Sequence, residues 1–257
     1  MRQDDLEGIR QNFVGQEDGH IYFFYRPKIL EASGPQDVSE LYFILHPLDS
    51  KLFRLIRLDS SALPDEERGF NLITGTVLKV DSKSPVILRE LEAISGEVLG
   101  VPQVKQSSAR PCGEGVYTII KREDHPHLVY DLELPRLDGK ISRSLRLDNE
   151  GNFEIGVYNP YYETPVETGE IPKAAVWPES FKDRFGNKRI VYQSIPELLN
   201  FAHTKVALFR APASEFRNEE KELHPLHKTE KSADIFTDLR IQKERYPVVP
   251  LVKGEWR

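Results

Sequence analysis

The sequence predicts a mainly β protein: a duplicated antiparallel β-barrel or β-sandwich with a few short helices and a wrapped C-terminal tail. Three observations predict it. Short aromatic and β-branched runs recur as far as residue 211, separated by turn chemistry. Few stretches change to a helical period. One segment nearly recurs: DSKLFRLIRLD (49–59) and DGKISRSLRLD (138–148) share six of eleven residues.

The elements follow in order. After a polar start, HIYFFYRPKIL (20–30) reads as a strand closed at an edge or bulge by Pro27. SGPQDV (33–38) is a turn. LYFILHP (41–47) and KLFRLIRLD (51–59) form a hairpin through the short link LDS, and FNLITGTVLKV (70–80) is the next strand. SPVILRELEAIS (84–95) changes period: Ser84 caps, Pro85 sits in the first turn, and Ile87, Leu88, Leu91 and Ile94 share a helical face. A Gly-, Pro- and Gln-bearing loop is expected over 96–113. Strands resume at GVYTIIKRE (115–123), LVYDLELP (128–135), KISRSLRLD (140–148) and NFEIGVYNP (152–160). A loop over 161–176 leads to WPESFKDRFG (177–186), a short helix stopped by Gly186. A strand KRIVYQ, a helical turn PELLNFA and a strand KVALFRA (205–211) complete the series.

This gives one β-rich domain over 1–213, with pseudo-repeat units at about 19–80 and 113–160, then a charged linker and docking tail over 214–257. The charge run at 217–231 reads as solvated, while Ile235, Phe236, Leu239, Tyr246 and Trp256 suit docking on the body.

The recurring segment has a physical consequence. A three- or four-stranded unit with one apolar face cannot stand alone. Two copies facing each other or closing a barrel bury both faces. Order supports the repeat: GHIYFFYR and EGVYTIIKR both open a unit, and Tyr42 and Tyr130 each precede a proline, Pro47 and Pro135, by five residues. In strand geometry Leu52, Arg54, Ile56 and Leu58 share a face, as do Ile141, Arg143, Leu145 and Leu147. Arg54 and Arg143 would then point inward, with Arg57 and Arg146 toward solvent. A buried guanidinium must be paired, and its planar fork suits carboxylate or phosphate. Two readings follow: internal ion pairs with Asp or Glu, or a cleft between the units in which Arg54 and Arg143 anchor a small anionic ligand, walled by Tyr42 and Tyr130.

Composition excludes several classes. Net charge is −6, so no basic field attracts nucleic acid or acidic lipid, and neither partner is expected. Hydrophobic residues at 39 % and charged residues at 30 % are ordinary for a folded chain. Cys112 is the single cysteine, so no internal disulfide forms. The polar N-terminus reads as lacking a signal peptide, and apolar runs such as LYFIL are too short to span a bilayer, so a soluble, cytoplasmic protein is expected.

Other chemistry is thin. His125-Pro-His127 and His224-Pro-Leu-His227 lack a third ligand nearby, so no metal is expected. Cys112 in ARPCGEG has no obligatory base. Carboxylates such as Asp131 and Glu133 lie on polar faces of any β domain, and no phosphate loop or cofactor motif is present. RPCGEGVYTIIKRE, HLVYDLELP and SADIFTDLR through PVVPLVKGEW resemble segments of uncharacterised bacterial proteins of similar length, over most of the chain. The resemblance implies a full-length soluble protein of single architecture and carries no functional residue. The expectation is therefore a non-catalytic binder of a small anionic ligand. The rivals are a hydrolase using His127 or Cys112 beside Asp131 or Glu133, and an assembly subunit exposing Leu41, Phe43, Leu45, Phe53 and Leu55. Oligomeric state stays open.

Overall fold

The computed structural model describes residues 14–28, 32–59, 72–98, 101–122, 124–135, 139–162, 174–211 and 223–256. Eleven strands appear among them: β1 (Val14–Pro27), β2 (Val38–Pro47), β3 (Phe53–Leu58), β4 (Leu72–Asp81), β5 (Ile94–Val98), β6 (Val101–Gln106), β7 (Arg110–Arg122), β8 (His125–Leu134), β9 (Glu150–Tyr158), β10 (Ile190–Val191) and β11 (Lys205–Arg210). The short helices are α1 (Ser84–Arg89), α2 (Lys140–Leu145), α3 (Glu179–Phe185), α4 (Ile195–Leu198), α5 (Ile235–Asp238) and α6 (Val249–Lys253).

Eight strands close an antiparallel barrel. The sheet order runs β9-β11-β4-β3-β2-β1-β7-β8, and β8 pairs back onto β9. Two four-stranded meanders, β1 to β4 and β7-β8-β9-β11, are thus joined first strand to first strand and last to last. Closure removes the free edges that an open sheet would expose.

The consecutive aromatics of β1 show how the wall is built. Side chains alternate across a strand, so Ile21, Phe23 and Tyr25 fill the interior with Phe43, Leu45, Ile56 and Tyr117. Tyr22 and Phe24 point outward, yet they too are buried. They pack with Ile44, Phe53 and Leu55 beneath Ile87, Leu88, Leu91, Ile235, Leu239, Tyr246 and Leu251. With both faces covered, the strand carries an apolar run rather than an alternation. Full burial of each such side chain is worth about 1.5–3 kcal/mol over leaving it exposed.

Two buried cations hold this outer layer. Arg26 on β1 donates from Nε to Glu40 at 3.0 Å and from its two terminal nitrogens to the carbonyls of Glu90, Glu92 and Ser107 at 2.5–3.1 Å. Those carbonyls flank the β5–β6 hairpin, so one side chain ties both of its ends to the barrel. Lys228 bonds Glu133 of β8 and Asp234, and lies 3.3 Å from Glu114 of β7. Burial alone would lower the Lys228 ammonium, but these carboxylates carry it above its usual value. Burial raises the Glu114 carboxyl, although the backbone N–H groups of Asp234 and Ile235 oppose this at 2.7 and 3.1 Å.

Several sequence expectations need correction. Residues 140–148, expected as a strand, form α2 and the turn after it. The alternation that placed Ile141 and Leu145 on one strand face also places them at i and i+4, one face of a helix. Both are buried, whereas Arg143 is exposed. The near-repeat therefore sets β3 against a helix, and the strand occupying the third place in the second meander is β9. The loop expected over 96–113 contains much of the β5–β6 hairpin and the first residues of β7, and the helix expected over 84–95 ends at Arg89. The strands expected elsewhere are present with shifted ends. Among the described residues no helix is long and apolar enough to cross a membrane.

Candidate functional site

The barrel interior ends differently at its two openings. One end is plugged. Trp177, Phe181, Phe185, Ile195, Leu198 and Leu199, from α3, α4 and their flanks, are buried in the interior cluster. The Trp177 indole donates to Thr204 at 3.0 Å, and the Phe181 and Phe185 rings stack at 5.4 Å. Beneath this plug lies Arg54 of β3. It grips Glu17 of β1 with two parallel hydrogen bonds of 2.5 and 2.8 Å and donates from Nε to Asn200 at 2.8 Å. Tyr117 donates to the same Glu17 carboxylate at 2.7 Å, and burial, then the Glu17 charge, push its phenol well up.

The opposite end holds a pocket that opens to solvent. Strands of both meanders line it: Phe23, Phe43 and Leu58 from one, Leu128, Tyr130, Phe153 and Leu208 from the other. Ring contacts order this wall, with Phe23 and Tyr130 centroids 5.1 Å apart and Tyr130 stacked on Phe153 at 6.3 Å. Tyr130 lies so close over Gly151 that a Cβ there would sit 2.1 Å from its ring. A glycine is required for that approach.

The charged side chains lining this pocket are Arg146 and Arg210. Leu145, Arg146 and Leu147, at and just beyond the end of α2, reach across the mouth, while Arg210 ends β11. Arg146 caps α2 in the left-handed conformation at φ 53°, where its N–H bonds the Arg143 carbonyl at 3.2 Å. Glycine or asparagine is the usual occupant of such a position. Arg210 lies 5.4 Å over the Phe153 ring and pairs with Asp148. The partners of that ion pair are 38 % and 56 % exposed, so water competes for it.

Of the residues expected to form a ligand site, Tyr130 alone lines this pocket. Tyr42 faces the opposite side of the wall, donating to Glu40 beside Arg26. Arg54 sits at the plugged end and Arg143 on the outer face of α2, so the two arginines are not brought together. Cys112 is fully buried in the interior cluster, and burial pushes its thiol far up. His127 bonds Asn152 at 3.1 Å, and His125 bonds Glu154 at 2.9 Å. Leu41, Phe43, Leu45, Phe53 and Leu55 are core residues rather than an exposed patch. Sequence reasoning missed Arg146 and Arg210 as pocket residues. The one available signal was that both lie beside apolar residues, Arg146 between Leu145 and Leu147 and Arg210 after Leu208 and Phe209. Comparison with protein-family models, with curated proteins and with solved structures finds no match to this chain.

Proposed function

We propose that this protein is a non-catalytic carrier or sensor of a small apolar carboxylic acid, held in the barrel between the two meanders with its carboxylate at the mouth. The observation that carries this is the pairing of an aromatic, apolar pocket with two arginines as its charged lining. A lining of apolar and aromatic side chains with a few polar groups is of the kind small-molecule pockets show. A guanidinium offers a planar fork to a carboxylate, and a partly desolvated site strengthens the bond. Arg146 adds weight, because a bulky residue held at positive φ is strain that a ligand contact would justify. Asp148 pairs with Arg210 as a carboxylate that an incoming one can replace.

The same reading takes the two meanders as descendants of one duplicated unit with a C-terminal segment wrapped over them. It is supported by the joining of first strand to first and last to last, and by the similar segments GHIYFFYR and EGVYTIIKR within β1 and β7. The soluble, cytoplasmic character expected from composition belongs to this proposal too.

Calorimetric titration with decanoate and with decanol tests the carboxylate claim. Decanoate should bind one to one, and decanol about tenfold or more weakly, since the charged hydrogen bond is worth about 1.5–3 kcal/mol. An Arg146→Gln, Arg210→Gln variant should lose that preference. Equal binding of both compounds would remove the arginines from the argument. No binding of either, to a chain folded by circular dichroism, would remove the pocket.

A further inference from the structure

On the outer wall, His20 of β1 stands directly opposite His46 of β2 in the antiparallel register. Both point away from the pocket, because they keep step with Tyr22 and Ile44 of the outer cluster. The His46 ring is fixed by stacking on Phe53 at 4.1 Å. Asp238, the last residue of α5, comes down over the pair from the C-terminal segment. Its Oδ2 lies 2.9 Å from His20 Nδ1 and 3.1 Å from His46 Nδ1. The three ligand atoms all lie within 4.8 Å of one another.

The hydrogen-bond count on Asp238 is lopsided. Tyr22 also donates to Oδ2, at 2.6 Å, so three donors converge on one oxygen. A carboxylate oxygen has two lone pairs. Oδ1 meanwhile accepts a long hydrogen bond from Thr237 Oγ1 at 3.4 Å. If both imidazoles instead turn lone pairs toward a shared cation, the crowding is relieved and Tyr22 alone donates, orienting the carboxylate from behind. Ligand atoms about 2.1 Å from one ion and at right angles around it are about 3.0 Å apart, as Asp238 Oδ2 is from each imidazole at 2.9 and 3.1 Å.

Charge points the same way. Asp234 lies 3.5 Å from His20 Nε2, and Glu114 and Glu133 lie just beyond it around Lys228. Three carboxylates thus face the Lys228 ammonium, and Asp238 adds a fourth negative charge to this partly buried region. The three side chains of the site are 20–23 % exposed, so an ion can enter.

We infer that His20, His46 and Asp238 form a binding site for one divalent first-row transition cation, which clasps the C-terminal segment to the β1–β2 wall. Two imidazoles and a carboxylate are a donor set for such ions, with positions left for water. The ligands come from β1, β2 and α5, so the site exists only in the folded, docked chain. Binding there must stabilise that state.

Cobalt(II) is the probe, because its visible absorption reports coordination. Metal-free full-length chain is titrated with CoCl2 and followed by absorption, equilibrium dialysis and thermal unfolding. One equivalent should bind with a visible band, and the unfolding midpoint should rise. His46→Gln and Asp238→Asn should each weaken binding tenfold or more, while His125→Gln should leave it unchanged. Asp238→Asn keeps the size and polarity of the side chain, so it reads the site if His46→Gln fails to fold. No saturable band in the parent chain overturns the site, as does equal binding by folded Asp238→Asn. Bound cobalt with no rise in the midpoint overturns the clasp.

Discussion

The two ends of the barrel use the same residue to opposite effect. At the plugged end Arg54 is 2 % exposed and engages Glu17 and Asn200 through three hydrogen bonds. At the mouth Arg210 shares an exposed ion pair with Asp148, and Arg146 caps a helix beside an apolar hollow. A buried guanidinium costs several kcal/mol in lost hydration and must find a complete internal partner set. A half-exposed one pays little for its place and stays exchangeable. Neither end could be told from the other by counting arginines among leucines. Burial and the partner on the next strand decide which is structure and which is site.

The largest effect should come from breaking the plugged end. Glu17→Gln leaves Arg54 charged and buried without its carboxylate, so stability should fall by about 3–5 kcal/mol in chemical denaturation. Replacing Glu17 and Arg54 together by Gln and Met should recover part of that loss. If Glu17→Gln costs less than about 1 kcal/mol, water reaches Arg54 and the contrast between the ends collapses. Next in size is Gly151→Ala at the mouth end. Its Cβ would meet the Tyr130 ring, so a destabilisation of about 1–3 kcal/mol is expected from overpacking. Decanoate affinity should change with it, because Tyr130 lines the pocket. Smaller again is Asp148→Asn. Loss of an exposed pair should cost about 0–1 kcal/mol, while decanoate binding should tighten as the competing carboxylate goes.

Much of the barrel was legible in sequence, for physical reasons that also explain the gaps. The runs around Tyr22–Tyr25 and Leu41–Leu45 are long, aromatic and bounded by turns, which only strands explain. That both faces of β1 would be covered was half visible: consecutive aromatics require two apolar environments, and the tail residues Ile235, Leu239 and Tyr246 supply the second. The stretch 140–145 misled because Ile141 and Leu145 satisfy both periods, and four apolar or charged positions cannot arbitrate. The site was less legible. Arg146 gains its place from a left-handed turn after α2, and Arg210 from the closure of β11 against β9, both of them tertiary facts. His20 and His46 are far apart in sequence, and they meet only through the β1–β2 register. The spaced histidine pair at 125 and 127, which does catch the eye, makes ordinary contacts with Glu154 and Asn152.

The smallest effect is the sharpest test of what Arg146 is for. Its φ of 53° lies where glycine is free of strain and a side chain is not. Arg146→Gly should therefore leave stability unchanged or raise it, by up to about 1 kcal/mol, since the strain of a left-handed side chain is of that order. A residue kept only for folding would not show this sign. The same substitution removes one guanidinium from the mouth, so decanoate should bind several-fold more weakly while decanol is unaffected. Stability that rises as carboxylate affinity falls would mark Arg146 as a residue that gives up folding energy for binding. If stability falls instead, Arg146 holds α2 across the mouth through its other contacts, and Arg210 is left as the one anchor for the carboxylate.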